Sequence, residues 1–154
     1  MTGTGVFWGK STMEMTVSYA KCGDVHTIHT GGAALGDIII DNTGIPSDQR
    51  GGTAKQLLGA AAVYCYASAL TAAMEARGLH YGSLDVSATL EVGSNDKGQS
   101  RVLKMVIRAV VGIDEEDQDL FERVARVMKG GCLVTGSLHD GIEMEYQLSS
   151  SWQD

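Results

Sequence analysis

The chain has 154 residues, 44% of them hydrophobic and 20% charged, with a formal net charge of −7. That length fits one domain with a core of its own, residues 1–154, and the acidic balance argues against a nucleic-acid partner, which needs a basic footprint. Three cysteines do not make a secreted disulfide scaffold, and the segment MTGTGVFWGKSTMEM lacks a basic stretch followed by an apolar one, so the expected compartment is a reducing cytoplasm.

Taken in chain order, Met13, Met15, Val17 and Tyr19 alternate with Glu14, Thr16 and Ser18, the pattern of a half-buried strand. Lys21–Asp24 predicts a turn, Val25–Thr30 a second strand, and Asp37–Asp41 a short apolar third. Asn42–Gly52 is rich in turn formers and holds the single proline, Pro46. Thr53 is placed to cap a long helix, with Gln56 as its capping-box partner, Arg77 near its end and Gly78 just beyond it. Within that helix Leu57–Met74 carries no charge and reaches the ~18-residue length of a membrane span. Its content is mostly alanine, no aromatic belt flanks it, and alternating strands lie on either side. A central helix buried on all faces, partly by a second subunit, is the better expectation.

Leu84–Val92 and Arg101–Val111 alternate cleanly about the polar turn Gly93–Ser100 and predict an antiparallel hairpin. Leu103, Met105, Ile107, Ala109 and Val111 should share its inner face. Asp114 then opens a second helix with Glu115–Asp117 at its positive end. Its apolar stripe is Leu120, Phe121, Val124, Val127 and Met128, and Asp119/Arg123 and Glu122/Arg126 are spaced as ion pairs. Gly130-Gly131 stops it. Cys132–Leu138 is long enough for one helical turn, and Ile142–Leu148 alternates as a last strand. The order of elements predicts one α+β domain.

Two thiols stand at landmarks: Cys65 in the middle of the long helix and Cys132 after the Gly-Gly break. Taken alone, each reads as a small packing residue. A redox role needs a lowered thiol pKa, which a helix start at Cys132, or a nearby cation such as His139 or Lys55, would favour. Cys22, Asp24, His26 and His29 match no usual zinc spacing. The glycine-rich stretches do not lead from a strand into a helix, so they fail as phosphate loops. Trp8 and Trp152 read as core or interface residues. Met13, Met15, Tyr64 and Tyr66 are candidates to line an apolar pocket near Cys65.

With these residues in hand, Met13–Leu148 resembles the OsmC/Ohr family of osmotically induced and organic-hydroperoxide-resistance proteins. The resemblance rests on a strand meander, the Gly52-Thr53 loop, the Ala-rich helix with its central cysteine, a hairpin, and an amphipathic helix leading into KGGCLVTGSL. It implies an intertwined homodimer with active sites at the subunit interface. It also implies a thiol-dependent peroxidase for organic hydroperoxides, in which Cys65 attacks, Cys132 resolves, and an external dithiol, possibly lipoyl, reduces the disulfide. No metal or organic cofactor is then needed. The chain departs from the family pattern in places: Lys55 stands where the family has Glu, Ala54 and Leu133 replace prolines, and no arginine falls at the family's upstream position, where Ile45 is nearest by count, so Arg50, the only arginine in that loop, is the candidate to polarise the thiolate. A family member that binds an apolar small molecule or a thiol metabolite without chemistry is the alternative.

Overall fold

The computed structural model describes residues 12–150; Trp8 and Trp152 lie outside them. The chain divides into two compact units between Gly51 and Gly52.

The first unit is a three-stranded antiparallel meander of β1 (Ser18–Cys22), β2 (Val25–His29) and β3 (Ile38–Asp41). Cys22 faces Val25 across a tight turn, and Val25 faces Asp41 on the other side. Residues 12–17 form no strand and their apolar side chains are exposed, so the first strand starts later than the alternation predicts. A strand exists only where a neighbour takes its backbone groups, and alternation does not supply one. The Asn42–Arg50 loop is held by the Arg50 guanidinium, whose Nε donates to the Ile45 carbonyl at 2.7 Å while its Nη1 meets Asp24 Oδ1 at 3.3 Å.

The second unit is built on α1 (Thr53–Glu75). Gly52, not Thr53, occupies its N-cap, in the left-handed conformation, and no side chain caps the helix. The expected Thr53–Gln56 box does not form; the Gln56 amide instead begins the helical ladder by bonding Gly52 O. The far end follows the prediction. The Gly78 amide bonds Glu75 O and the Leu79 amide bonds Met74 O, a Schellman closure with Gly78 at φ +68°. That closure folds Leu79 back beside Met74, and both are buried.

β4 (Ser83–Ser94) and β5 (Ser100–Gly112) make the predicted hairpin, with Leu84 opposite Val111, Val86 opposite Ala109, Ala88 opposite Ile107 and Leu90 opposite Met105. A bulge after Glu91 shifts the register. It turns Leu103 off the inner face and leaves it exposed. Gly59 lets α1 approach this sheet closely: a Cβ there would sit 3.4 Å from Leu90 Cδ1.

After a single 3₁₀ turn at Glu115–Asp117, α2 (Gln118–Val127) packs Val124 into the core formed by Leu70, Met74, Leu79 and Met128. Burying each such side chain contributes roughly 1.5–3 kcal/mol. The stripe is narrower than predicted, since Val127 is exposed. Asp119/Arg123 and Glu122/Arg126 do not pair; the Gln118 amide reaches Glu122 instead. Gly130-Gly131 ends this stretch and α3 (Leu133–Asp140) follows. The segment Ile142–Leu148 has no strand partner among the described residues, and Ile142, Met144, Tyr146 and Leu148 are exposed.

α1 is long and apolar enough, by length and composition, to cross a membrane. Its Gly59, Ala62, Leu70 and Met74 face is buried in this unit. The expectation of burial on every face is not met within one chain: Tyr64 is 76% exposed. β4, β5, α2 and α3 cover only one side.

Candidate active site: two thiols at the start of a short helix

α3 begins where it does because Cys132 caps it. The Cys132 amide donates to Thr135 Oγ1 at 2.9 Å, and the Thr135 amide donates back to Cys132 Sγ at 3.5 Å. This is a capping box with sulfur in the place usually held by a serine or threonine oxygen. The Thr135 hydroxyl also lies 3.1 Å from Cys132 Sγ. Since its oxygen already accepts from the Cys132 amide, its proton is free for the sulfur.

Gly131 makes this turn possible. Its φ of 74° and ψ of −159° belong to glycine alone, and a Cβ there would fall 2.6 Å from Thr135 Oγ1. Gly131→Ala should therefore destabilise the protein by about 1–3 kcal/mol. It should also slow alkylation of Cys132, because the threonine hydroxyl must move; urea melts and iodoacetamide labelling measure the two effects.

The folding of α3 against α1 brings the Cys65 and Cys132 side chains close enough for each to shift the other's ionisation. Both are free thiols; Cys65 is half-buried and Cys132 is 9% exposed. The first turn of α3 aims its unpaired amides at the pair, with Val134 and Leu133 directed to Cys65 and Thr135 and Val134 to Cys132. On Cys65 the Val134 amide favours the thiolate, but the bond to Cys132, burial and the charge on Cys132 outweigh it and hold its pKa above the usual cysteine range. On Cys132 burial opposes ionisation, yet the Thr135 hydroxyl and amide, the Cys65 thiol and the Val134 amide together bring its pKa below that range.

Beside the pair, between α1, β5 and α3, lies an open cavity of about 1010 Å³. Tyr66, Met105 and Ile107 form apolar wall, Gly131, Thr135 and Gly136 form the wall next to Cys132, and Lys104, Lys129, His139 and Asp140 add polar and charged rim; neither thiol lines it directly. Tyr66 lines this cavity as expected; Tyr64 does not, and Met13 and Met15 belong to the first unit.

The expected helpers are placed as follows. Lys55 lies on a different groove, with Gly59, Val86 and Leu90, and is not among the groups acting on Cys65. His139 sits at the far end of α3, exposed and beside Asp140, and does not act on Cys132. Arg50 belongs to the first unit, where Ile45 and Asp24 hold it. His26 bonds Tyr19 and Asn42, and His29 pairs with Asp37. Thr135 was missed by sequence reasoning. Its signal is the Cys-x-x-Thr spacing directly after a Gly-Gly stop, a capping box written with a thiol.

Fold and site together define an α+β dithiol protein organised around one long helix. A family model described as OsmC-like protein matches residues 47–147, and the chain belongs to that family. It is 28% identical over 102 residues to Peroxiredoxin OsmC of Escherichia coli (strain K12), a match covering 66% of this chain and 71% of the relative. An OsmC-like protein of unknown function from Vibrio cholerae has a similar structure, with a TM-score of 0.64 at 16% identity over 82% of this chain and 94% of that one. An organic hydroperoxide resistance protein from Elizabethkingia anophelis gives a TM-score of 0.52 at 19% identity over 79% and 92%. These likenesses establish the antiparallel α+β fold.

Proposed function

We propose that the protein is a thiol-dependent peroxidase for organic hydroperoxides, working as a cytoplasmic homodimer. The observation that carries this reading is the proximity of Cys65 and Cys132, next to a cavity with a partly apolar wall. The Cys65 thiolate attacks the terminal peroxide oxygen, the O–O bond breaks, the alkoxide takes a proton and leaves as the alcohol, and the sulfur becomes a sulfenic acid; Cys132 then displaces hydroxide, which takes a proton from solvent, and closes a disulfide. An external dithiol, of the lipoyl type, then restores the pair. The apolar wall suits an alkyl or aryl peroxide better than hydrogen peroxide. The relatives named peroxiredoxin and organic hydroperoxide resistance protein support the same chemistry.

A second copy of the chain accounts for the exposed apolar side chains at Met13, Met15, Tyr64 and Tyr146. No metal or organic cofactor enters the reaction, and the reaction as written needs no cation from Arg50. The alternative, a binding protein without chemistry, is favoured by Lys55 standing where the family has an acid. Stopped-flow mixing with cumene hydroperoxide decides between them. The peroxidase reading expects consumption well above background and a Cys65–Cys132 bridge by mass spectrometry. No consumption by the reduced wild type would leave only the binding reading.

A further inference from the structure

How fast a second thiol closes a disulfide depends on how much of it is ionised and on where its sulfur points. Cys132 is helped on both counts by one residue. Its side chain turns about a single bond with three staggered positions. The Thr135 amide reaches Cys132 Sγ at 3.5 Å and the Thr135 hydroxyl lies 3.1 Å from it, so one of those positions is held by two donors. The hydroxyl proton is aimed at the sulfur because its oxygen accepts from the Cys132 amide at 2.9 Å. Leu133, the first residue of α3, is no proline, so no ring fixes the chain where the helix starts. The box between Cys132 and Thr135 does so instead. Among the described residues, no other side-chain hydroxyl bonds either sulfur. Burial is the largest influence on Cys132 and disfavours its thiolate; the Thr135 hydroxyl and amide come next and favour it. Lys129 and His139 lie on the cavity rim and are not among the groups acting on Cys132. Thr135 in turn is not among the groups acting on Cys65. Its influence falls on one thiol of the two.

We propose that Thr135 is the positioning residue of the resolving step: its hydroxyl and amide hold Cys132 Sγ at the start of α3, turned for attack on the sulfenic acid formed at Cys65. This rests on the peroxidase reading and assigns a residue to its second half. The Cys132 thiol gives its proton to solvent, and the Thr135 hydroxyl donates to the resulting thiolate. That sulfur attacks Cys65 Sγ. The S–S bond forms as the S–O bond breaks, and the departing hydroxide takes a proton and leaves as water. The Cys132 sulfur is oxidised and the Cys65 sulfur is reduced by the same amount, so no outside oxidant or reductant enters this step. Thr135 neither gains nor loses a proton overall.

The test separates the two halves of the reaction. Quench-flow with cumene hydroperoxide follows Cys65 sulfenic acid, trapped with dimedone, and the Cys65–Cys132 disulfide, both by mass spectrometry. Thr135→Val should slow disulfide closure about tenfold more than it slows sulfenic acid formation, the fold-change of one lost hydrogen bond to a charged group. Trapped sulfenic acid should rise accordingly. Thr135→Ser keeps the hydroxyl and should restore closure. Equal slowing of both steps, or closure at the wild-type rate in Thr135→Val, overturns the assignment. Thr135→Ala carries the same expectations, for the case in which valine does not fold. A second readout uses the Cys65→Ser protein, in which iodoacetamide labelling of Cys132 is followed against pH. Loss of a donor to the thiolate should move the midpoint upward in Thr135→Val, and Thr135→Ser should return it; a change of packing alone alters the labelling rate and not the midpoint. If the wild type consumes no peroxide, the peroxidase reading falls and the midpoint decides alone. A midpoint that moves upholds the hold of Thr135 on Cys132, and one that stays overturns it.

Discussion

Converted by hydroperoxide to the Cys65–Cys132 disulfide, the protein should resist urea better than its reduced form by about 4 kcal/mol. The bridge would join the centre of α1 to the cap of α3 and close a loop of roughly 67 residues, for which lost chain entropy in the unfolded state gives that figure. Engineered disulfides often fall short because the native backbone must distort to form them. Here the packing of α3 on α1 already brings the two thiols near each other, so the sulfurs need only a modest approach. Net stabilities of 5–15 kcal/mol are usual for a domain, so the change should be plain in a urea titration followed by circular dichroism. Equal midpoints for the two forms, with the bridge confirmed by mass spectrometry, would show that the contact is strained or that the unfolded chain keeps the two segments together. A fall in midpoint on oxidation would mean that the bridge distorts the α3 cap.

Met74→Ala should cost about 2–5 kcal/mol, the range for truncating a buried long side chain. Met74 is 0% exposed and lies among Leu70, Leu79, Val124 and Met128, where α1, α2 and the start of the hairpin meet. Alanine there leaves a cavity that three elements cannot close without moving together. Met74→Leu conserves most of the volume and should cost less than about 1.5 kcal/mol. The contrast between the two separates lost packing from any effect on the Schellman closure, whose bond uses the Met74 carbonyl and not its side chain. A Met74→Ala protein as stable as the wild type would mean that this cluster is not the core of the second unit. The substitution lies on the thiol helix, so coupled loss of peroxide consumption is expected only to the extent that the protein unfolds.

Much of the architecture was legible from residue order. The period of two in Leu84–Val92 and Arg101–Val111 specifies the hairpin almost residue by residue, because a one-residue slip would turn every apolar side chain outward. Gly78 marks the end of α1 because the closing turn needs a positive φ. The bulge that turns out Leu103 was not legible, since it depends on where two strands meet and not on either one. The segments 12–17 and 142–148 carry the same alternation as true strands and have no strand partner among the described residues. Periodicity records which side chains want burial; it does not record whose backbone lies alongside.

The same division holds at the site. The sequence by itself determined that two thiols stand at structural landmarks, one inside a long uncharged helix and one after a Gly-Gly break, and that the second would open a helical turn. Only the tertiary structure decided that they lie near each other and that Cys132 caps the third helix. Hydrogen bonds to a sulfur act over a few ångströms, and Cys65 and Cys132 are brought within that range by the packing of α3 on α1. A distance of that kind is a property of the folded chain, and spacing along the sequence does not contain it.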